Sequence, residues 1–157
     1  TNKMIFHRNF KSNAIIECSL VLKNNGIYPF YDMIIENEFE EDSDRDETVR
    51  LLLDLEKPFS LTFYALTPFP GTELEKIYKE KDVLPSVNPY EKSYKDYDEK
   101  GFYFQLCSIV PYASKYMAEF FFRYRKNGFA RFILKLYFEV TKHRRNRRKT
   151  AQETQSS

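Results

Sequence analysis

One segment, YDMIIENEFEEDSDRDETVRLLLDLEKPFSLTFYALT, residues 31–67, carries most of the fold information in this chain of 157 residues. It opens with a mostly apolar run, residues 31–35, in which apolar and polar side chains do not alternate regularly. Such a run is typical of a strand buried on both faces, as strands of parallel sheets usually are. The segment closes with residues 60–67, which are rich in aromatic and β-branched side chains and therefore predict a second strand.

A helix is predicted between these two strands, from Asp44 to about Glu56. Ser43 and Asp46 have the spacing of a capping box at its start, and Pro58 ends it, because proline cannot continue a helix. Two strands joined by a helix form a βαβ unit, in which the strands are parallel and the crossover is right-handed. The segment therefore predicts an α/β fold.

Helices are also predicted on both sides of this unit. The first begins at Ser12 or Asn13 and runs to about Asn25, where Gly26 favours the left-handed conformation that ends many helices. Another begins with a capping box at Thr72 and runs through about residue 81. The element order α-β-α-β is typical of part of a parallel sheet or barrel. Two strands cannot complete either structure, so further strands are expected before the first residue.

The C-terminal part is predicted to be irregular over residues 82–112 and helical over residues 113–127 and 129–142, with Gly128 ending the first of these helices. Apolar residues recur at helical spacing in the second helix and are predicted to face the core. They are Phe129, Phe132, Ile133, Leu136, Tyr137 and Val140. Leu134 and Phe138 widen this stripe, which predicts that the helix packs on two sides. The chain is thus divided into an α/β part, a helical aromatic-rich extension and a basic tail that we expect to be disordered, over residues 1–84, 85–143 and 144–157.

Charge is distributed unevenly along the chain, although the net charge is only +2. Residues 36–47 carry eight carboxylates and one arginine, and residues 142–149 carry six positive charges and no acid. The basic end could attract RNA or an anionic membrane, or it could be a solvated terminal tail. No apolar run is long enough to cross a bilayer and no signal segment is evident, so a cytoplasmic location is expected.

Chemistry is expected where the two parallel strands end, because ligands bind at the carboxyl ends of such strands. This places candidate residues in the acidic loop after Ile35 and in the turn after Thr67. The loop could also be a solvated segment that caps a helix, or a divalent-metal site, although it lacks the spacing and glycine of a calcium loop. Cys18 and Cys107 are too few and too far apart for a metal cluster, and each is predicted to be a buried small hydrophobe. The motifs supply no catalytic residue and no metal ligand.

Several of these segments together resemble the second half of radical S-adenosylmethionine (radical SAM) enzymes, over about residues 8–84. The similarity is closest to the group that carries an N-terminal cobalamin-binding domain. The matching segments are Asn25-Gly26-Ile27, Tyr31 to Ile35, Asn37-Glu38-Phe39-Glu40 with Asp42 or Asp44, Thr48, Leu51 to Leu55, Lys57 to Leu61, and Leu66-Thr67-Pro68-Phe69-Pro70-Gly71-Thr72-Glu73-Leu74.

The resemblance implies the C-terminal portion of a partial (β/α)6 TIM-like barrel, followed by a mainly helical extension. It implies an enzyme whose [4Fe–4S] cluster cleaves S-adenosylmethionine to start radical chemistry on an unknown substrate. The cluster cysteines and any cobalamin domain would belong to an N-terminal half of the same polypeptide, so this chain alone would be inactive. The positions that match the family on the S-adenosylmethionine or substrate side are Arg8, Asn37, Glu40, Tyr64 and Thr67.

Two other functions are compatible with the same residues. One is a non-catalytic α/β interaction module whose basic tail binds RNA or an anionic membrane. The other is a catalytically silent remnant of the radical SAM family.

Overall fold

A computed structural model of the protein describes residues 12–35, 37–83 and 101–155, with side chains as far as residue 143. The chain divides into two compact units, Thr1–Glu99 and Lys100–Ser157. Residues 84 and 85, between which a boundary was predicted, lie outside the described residues. So does most of the region that was predicted to be irregular, residues 82–112.

The first unit is an α/β unit built around two parallel strands. Its elements are α1 (Ser12–Asn24), β1 (Phe30–Ile35), α2 (Asp42–Asp54), β2 (Ser60–Ala65) and α3 (Glu73–Glu80). Along the sheet, Phe30 is paired with Ser60 at one end and Ile35 with Ala65 at the other. The predicted α/β class, the order of the elements and the parallel strand direction are confirmed.

The helix ends follow local chemistry. Gly26 adopts a positive φ of 67°, as predicted, and the Ile27 amide donates to the Leu22 carbonyl at 2.9 Å to close α1. The helix α2 begins two residues earlier than expected, because the Asp44 side chain accepts from the Glu41 amide at 3.1 Å in place of the predicted pair.

The core of the first unit lies on one face of the sheet. Phe63 and Ala65 of β2 are buried, together with the α2 residues Val49, Leu52 and Leu53. In β1, by contrast, exposed and half-buried residues alternate along the whole strand. The prediction that β1 is buried on both faces is therefore wrong for the described residues, because helical packing covers one side of this sheet and leaves the other open.

The second unit consists, over its described residues, of three helices, α4 (Phe102–Ile109), α5 (Lys115–Arg123) and α6 (Gly128–Gln155). Helix α4 falls in the region that was predicted to be irregular, and its burial explains its formation, since Leu106 and Ile109 are fully buried. Gly128 begins α6 and does not end the preceding helix: the Asn127 side chain accepts from the amides of Phe129 and Ala130 at 2.9 and 3.2 Å. Helix α6 also continues through residues 144–155, where we predicted a disordered tail, because that sequence contains no glycine or proline to stop it.

The core face of α6 matches the prediction only in part. Ala130, Leu134 and Phe138 are buried, and the Phe138 ring lies 5.8 Å from that of Phe104 in α4. Leu134 and Phe138, which were predicted to widen the packed stripe, are thus confirmed as buried. The residues of the main predicted stripe are exposed, except the half-buried Tyr137. The error has a physical origin: α6 carries two apolar stripes, and periodicity does not indicate which one meets α4. No helix of the described part of the chain is long and apolar enough to cross a membrane.

Candidate functional site

The carboxyl ends of β1 and β2 meet at one edge of the sheet. The Leu66 amide donates to the Ile35 carbonyl at 2.9 Å, which extends the pairing one step beyond the last strand residues. Asn37 and Thr67 each follow the end of a strand by two residues. The acidic loop and the turn after β2 therefore leave the sheet side by side, as parallel strands require.

Asn37 organises the loop after β1. It is 3 % exposed, and its side-chain oxygen accepts from the Phe39 amide at 3.0 Å. Its carbonyl accepts from the Glu40 amide at 3.0 Å, which closes a turn over residues 37–40. The Asn37 side chain also lies close enough to the Glu40 carboxylate to favour its charged form and lower its pKa. The structure thus brings together two of the candidate residues, Asn37 and Glu40.

Glu40 is a half-buried carboxylate at this edge. Desolvation by burial raises its pKa, and the nearby Asp44 carboxylate acts in the same direction. The Arg45 guanidinium and the Asn37 side chain oppose this shift without cancelling it. A carboxylate with incomplete hydration gains from donors that a ligand supplies, such as an ammonium or hydroxyl group.

The other candidates occupy different positions. Thr67 is buried, and its hydroxyl donates to the Ala65 carbonyl at 3.2 Å. Tyr64 lies within β2 opposite Ile34 of β1, on the more open face of the sheet. Arg8 lies outside the described residues.

A further set of contacts fastens the same loop to α3, and sequence reasoning missed it. The Tyr78 hydroxyl donates to a carboxylate oxygen of Glu38, and the Tyr78 and Phe39 rings meet edge to face with centroids 4.8 Å apart. The Lys81 ammonium lies 5.1 Å from the Phe39 ring centroid. We call these four residues the loop clip. No local signal predicts it, because Glu38 and Tyr78 are 40 positions apart.

Burial and the hydrogen bond to Glu38, in that order of importance, raise the pKa of Tyr78. Tyr78 therefore stays neutral and acts as a hydrogen-bond donor that positions the loop. Its contribution to the site is structural, since it holds the turn that presents Glu40.

A metal ion needs several donor side chains close together. Among the described residues, no group of three His, Cys, Asp or Glu side chains could hold a metal ion. Cys107 is buried as predicted, whereas Cys18 is exposed on α1, so the prediction for Cys18 is wrong. Its position on the helix, one residue before the buried Ser19, turns it away from the packed face.

No protein-family model, curated protein or solved structure matches this chain.

Proposed function

We propose that the first unit is the C-terminal part of a radical SAM barrel, and that Asn37, Glu40 and Thr67 face S-adenosylmethionine or the substrate. The observation that carries the proposal is the parallel pairing of β1 with β2, which sets the Asn37–Glu40 turn and Thr67 at one carboxyl edge. The proposal joins this arrangement to the sequence resemblance over about residues 8–84.

The open face of the sheet supports the barrel proposal. In a barrel, alternate side chains of each strand point to the interior and the others meet the surrounding helices. Phe63 and Ala65 are buried on the helical side, whereas Asp32 and Thr62 are register partners on the exposed side. Tyr64 belongs to that same side, so barrel closure would turn these polar groups toward the interior.

The Glu40 carboxylate suits a ligand such as S-adenosylmethionine, whereas the two cysteines of the chain do not suit an iron–sulfur cluster. The sulfonium ligand carries an ammonium group and ribose hydroxyls, which are donors that a carboxylate such as Glu40 can accept. A [4Fe–4S] cluster requires three or four thiolates, and the chain has two cysteines, one exposed in the first unit and one buried in the second. Cluster ligands, and any cobalamin site, would have to come from another part of the polypeptide.

When bound, S-adenosylmethionine and its cluster would supply the radical chemistry. The residues described above would bind and orient it: Glu40 accepts hydrogen bonds, Asn37 fixes the Glu40 carboxylate, and the loop clip holds the turn against α3. Burial of Glu40 strengthens each hydrogen bond that it accepts, because less water competes.

The coding sequence upstream of the Thr1 codon provides the first test. The proposal expects an in-frame continuation with three closely spaced cysteines. A continuation that encodes no such cysteines would refute it.

A second test uses the polypeptide that carries those cysteines, assayed under anoxic conditions for 5′-deoxyadenosine formation. Glu40→Gln is expected to raise the KM for S-adenosylmethionine by about 10- to 100-fold, since hydrogen bonds to a charged group contribute about 1.5–3 kcal/mol. Glu47→Gln is the matched control, because Glu47 is an exposed glutamate of α2. Equal kinetics for the two variants would exclude Glu40 from the site.

A further inference from the structure

Helix α6 carries a continuous apolar stripe that faces solvent. Its residues lie at positions i, i+3, i+4, i+7 and i+11 of the helix and are Phe129, Phe132, Ile133, Leu136 and Val140, here called the outer stripe. Their exposed fractions are 74, 56, 36, 49 and 51 %. Scattered exposed apolar residues are ordinary, but a continuous stripe on one helix face marks an interaction surface.

The outer stripe is separate from the stripe that builds the core. Ala130, Leu134 and Phe138 are buried, and at 100° per residue they lie about 145° around the helix from the outer stripe. The core of the second unit is therefore complete without the outer stripe, which is available to a partner.

Positive charge accompanies this stripe. Residues 100–157 contain thirteen Lys and Arg against three Asp and Glu, whereas residues 1–99 contain twelve against twenty. Arg131, Lys135 and Lys142 lie on the far side of α6, more than about 110° around the helix from the outer stripe, and Arg131 and Lys142 stack on the Phe102 and Phe138 rings. The helix then continues along its axis into residues 144–149, which add five more cations.

We propose that α6 lies on the surface of an anionic lipid bilayer, with the outer stripe inserted at the headgroup boundary and the cationic continuation of the helix, residues 144–149, contacting lipid phosphates. A helix with an apolar stripe and a cation-rich remainder is the pattern of interfacial membrane helices. Each cation near an anionic surface favours binding by about fivefold. This inference is independent of the radical SAM proposal, which concerns the first unit.

Two other occupants suit the surface less well. RNA would use the cations and stack on Phe129 and Phe132, but Ile133, Leu136 and Val140 offer bases neither a ring nor a hydrogen bond. A second copy of this chain would bring together two units that each carry thirteen cations against three carboxylates, and like charges oppose association.

The test uses the whole chain and exploits its lack of tryptophan. Phe132→Trp places one fluorophore in the outer stripe, and Val21→Trp is the matched control at an exposed helical position of the first unit, with exposed fractions of 56 and 58 %. Both variants are titrated with vesicles of phosphatidylcholine alone and with about 30 % phosphatidylserine. Emission from Phe132→Trp should shift to the blue only with the anionic vesicles, and emission from Val21→Trp should not shift.

Vesicle co-sedimentation then separates the two contributions. The pair Phe132→Ser with Leu136→Ser should weaken binding at least tenfold, since each apolar side chain that enters the boundary contributes about that factor. Val21→Ser should leave binding unchanged, and salt at about 1 M should weaken it in every variant by screening the cations. Circular dichroism checks that the serine variants remain folded.

Three results would overturn the proposal. The first is no blue shift of Phe132→Trp on anionic vesicles. The second is salt-dependent binding of a single-stranded RNA, with no vesicle binding, which would assign the cations to nucleic acid. The third is a dimer, in sedimentation without vesicles, that the serine pair dissociates while vesicle binding is absent.

Discussion

Removing the Tyr78 hydroxyl tests the loop clip. Tyr78 is 3 % exposed, and its hydroxyl donates to the half-buried carboxylate of Glu38. Tyr78→Phe keeps the ring contact with Phe39 and removes only the hydrogen bond. A hydrogen bond to a charged group contributes about 1.5–3 kcal/mol, and water can partly replace it because Glu38 is incompletely buried. We therefore expect the free energy of unfolding to fall by about 1–2 kcal/mol.

Urea unfolding followed by circular dichroism measures this loss. Tyr116→Phe is the matched control, because Tyr116 is 85 % exposed and its hydroxyl meets solvent. A double-mutant cycle of Tyr78→Phe with Glu38→Gln should give a coupling of about 1–2 kcal/mol. If Tyr78→Phe and Tyr116→Phe unfold alike, or if the coupling is zero, then Tyr78 does not hold the loop.

The same variant should change the alkaline limit of stability. The pKa of Tyr78 is raised above its ordinary value of 10.0, so above pH 10 the unfolded state loses this proton while the folded state keeps it. The stability of the wild-type protein therefore falls as the pH rises past 10, and this part of the fall is absent in Tyr78→Phe. Wild-type and variant curves that stay parallel above pH 10 would contradict the burial of this phenol.

The remaining predictions concern the packing of each unit and the charge of Glu40. Ser19→Ala should lower the free energy of unfolding by about 1–3 kcal/mol, measured by urea unfolding, because the Ser19 hydroxyl accepts from the Glu56 amide at 3.1 Å and is 1 % exposed. Leu134→Ala should lower the free energy of unfolding by about 2–5 kcal/mol and Phe132→Ala by less than about 0.5 kcal/mol. Equal losses in the same assay would contradict the placement of Leu134 in the core and Phe132 at the surface. The stability contribution of Glu40 should fall as the pH rises from its ordinary pKa through its raised folded pKa, so Glu40→Gln should flatten this slope in pH-dependent melting.

Much of the first unit could be predicted because local chemistry specifies it. The left-handed Gly26 ends α1 as its sequence position suggests, and Thr72 caps α3, with its hydroxyl accepting from the Glu75 amide at 3.3 Å. The proximity of Asn37 and Glu40 can also be predicted from the sequence, because the two residues occupy one four-residue turn. In each case the interacting groups are a few positions apart, so the sequence brings them together whatever the rest of the chain does.

The amino-acid sequence by itself determined the helix and strand segments of the first unit and their parallel direction, since strand propensity and the length of the crossover leave few alternatives. Only the tertiary structure decided that Leu134 faces inward while Phe132 faces solvent, and that Tyr78 meets Glu38. The physical reason is the same for both. Neither is set by neighbouring residues. Which apolar stripe is buried depends on the element that packs against it, and the Tyr78–Glu38 hydrogen bond joins residues 40 positions apart, so both are selected only when the elements assemble.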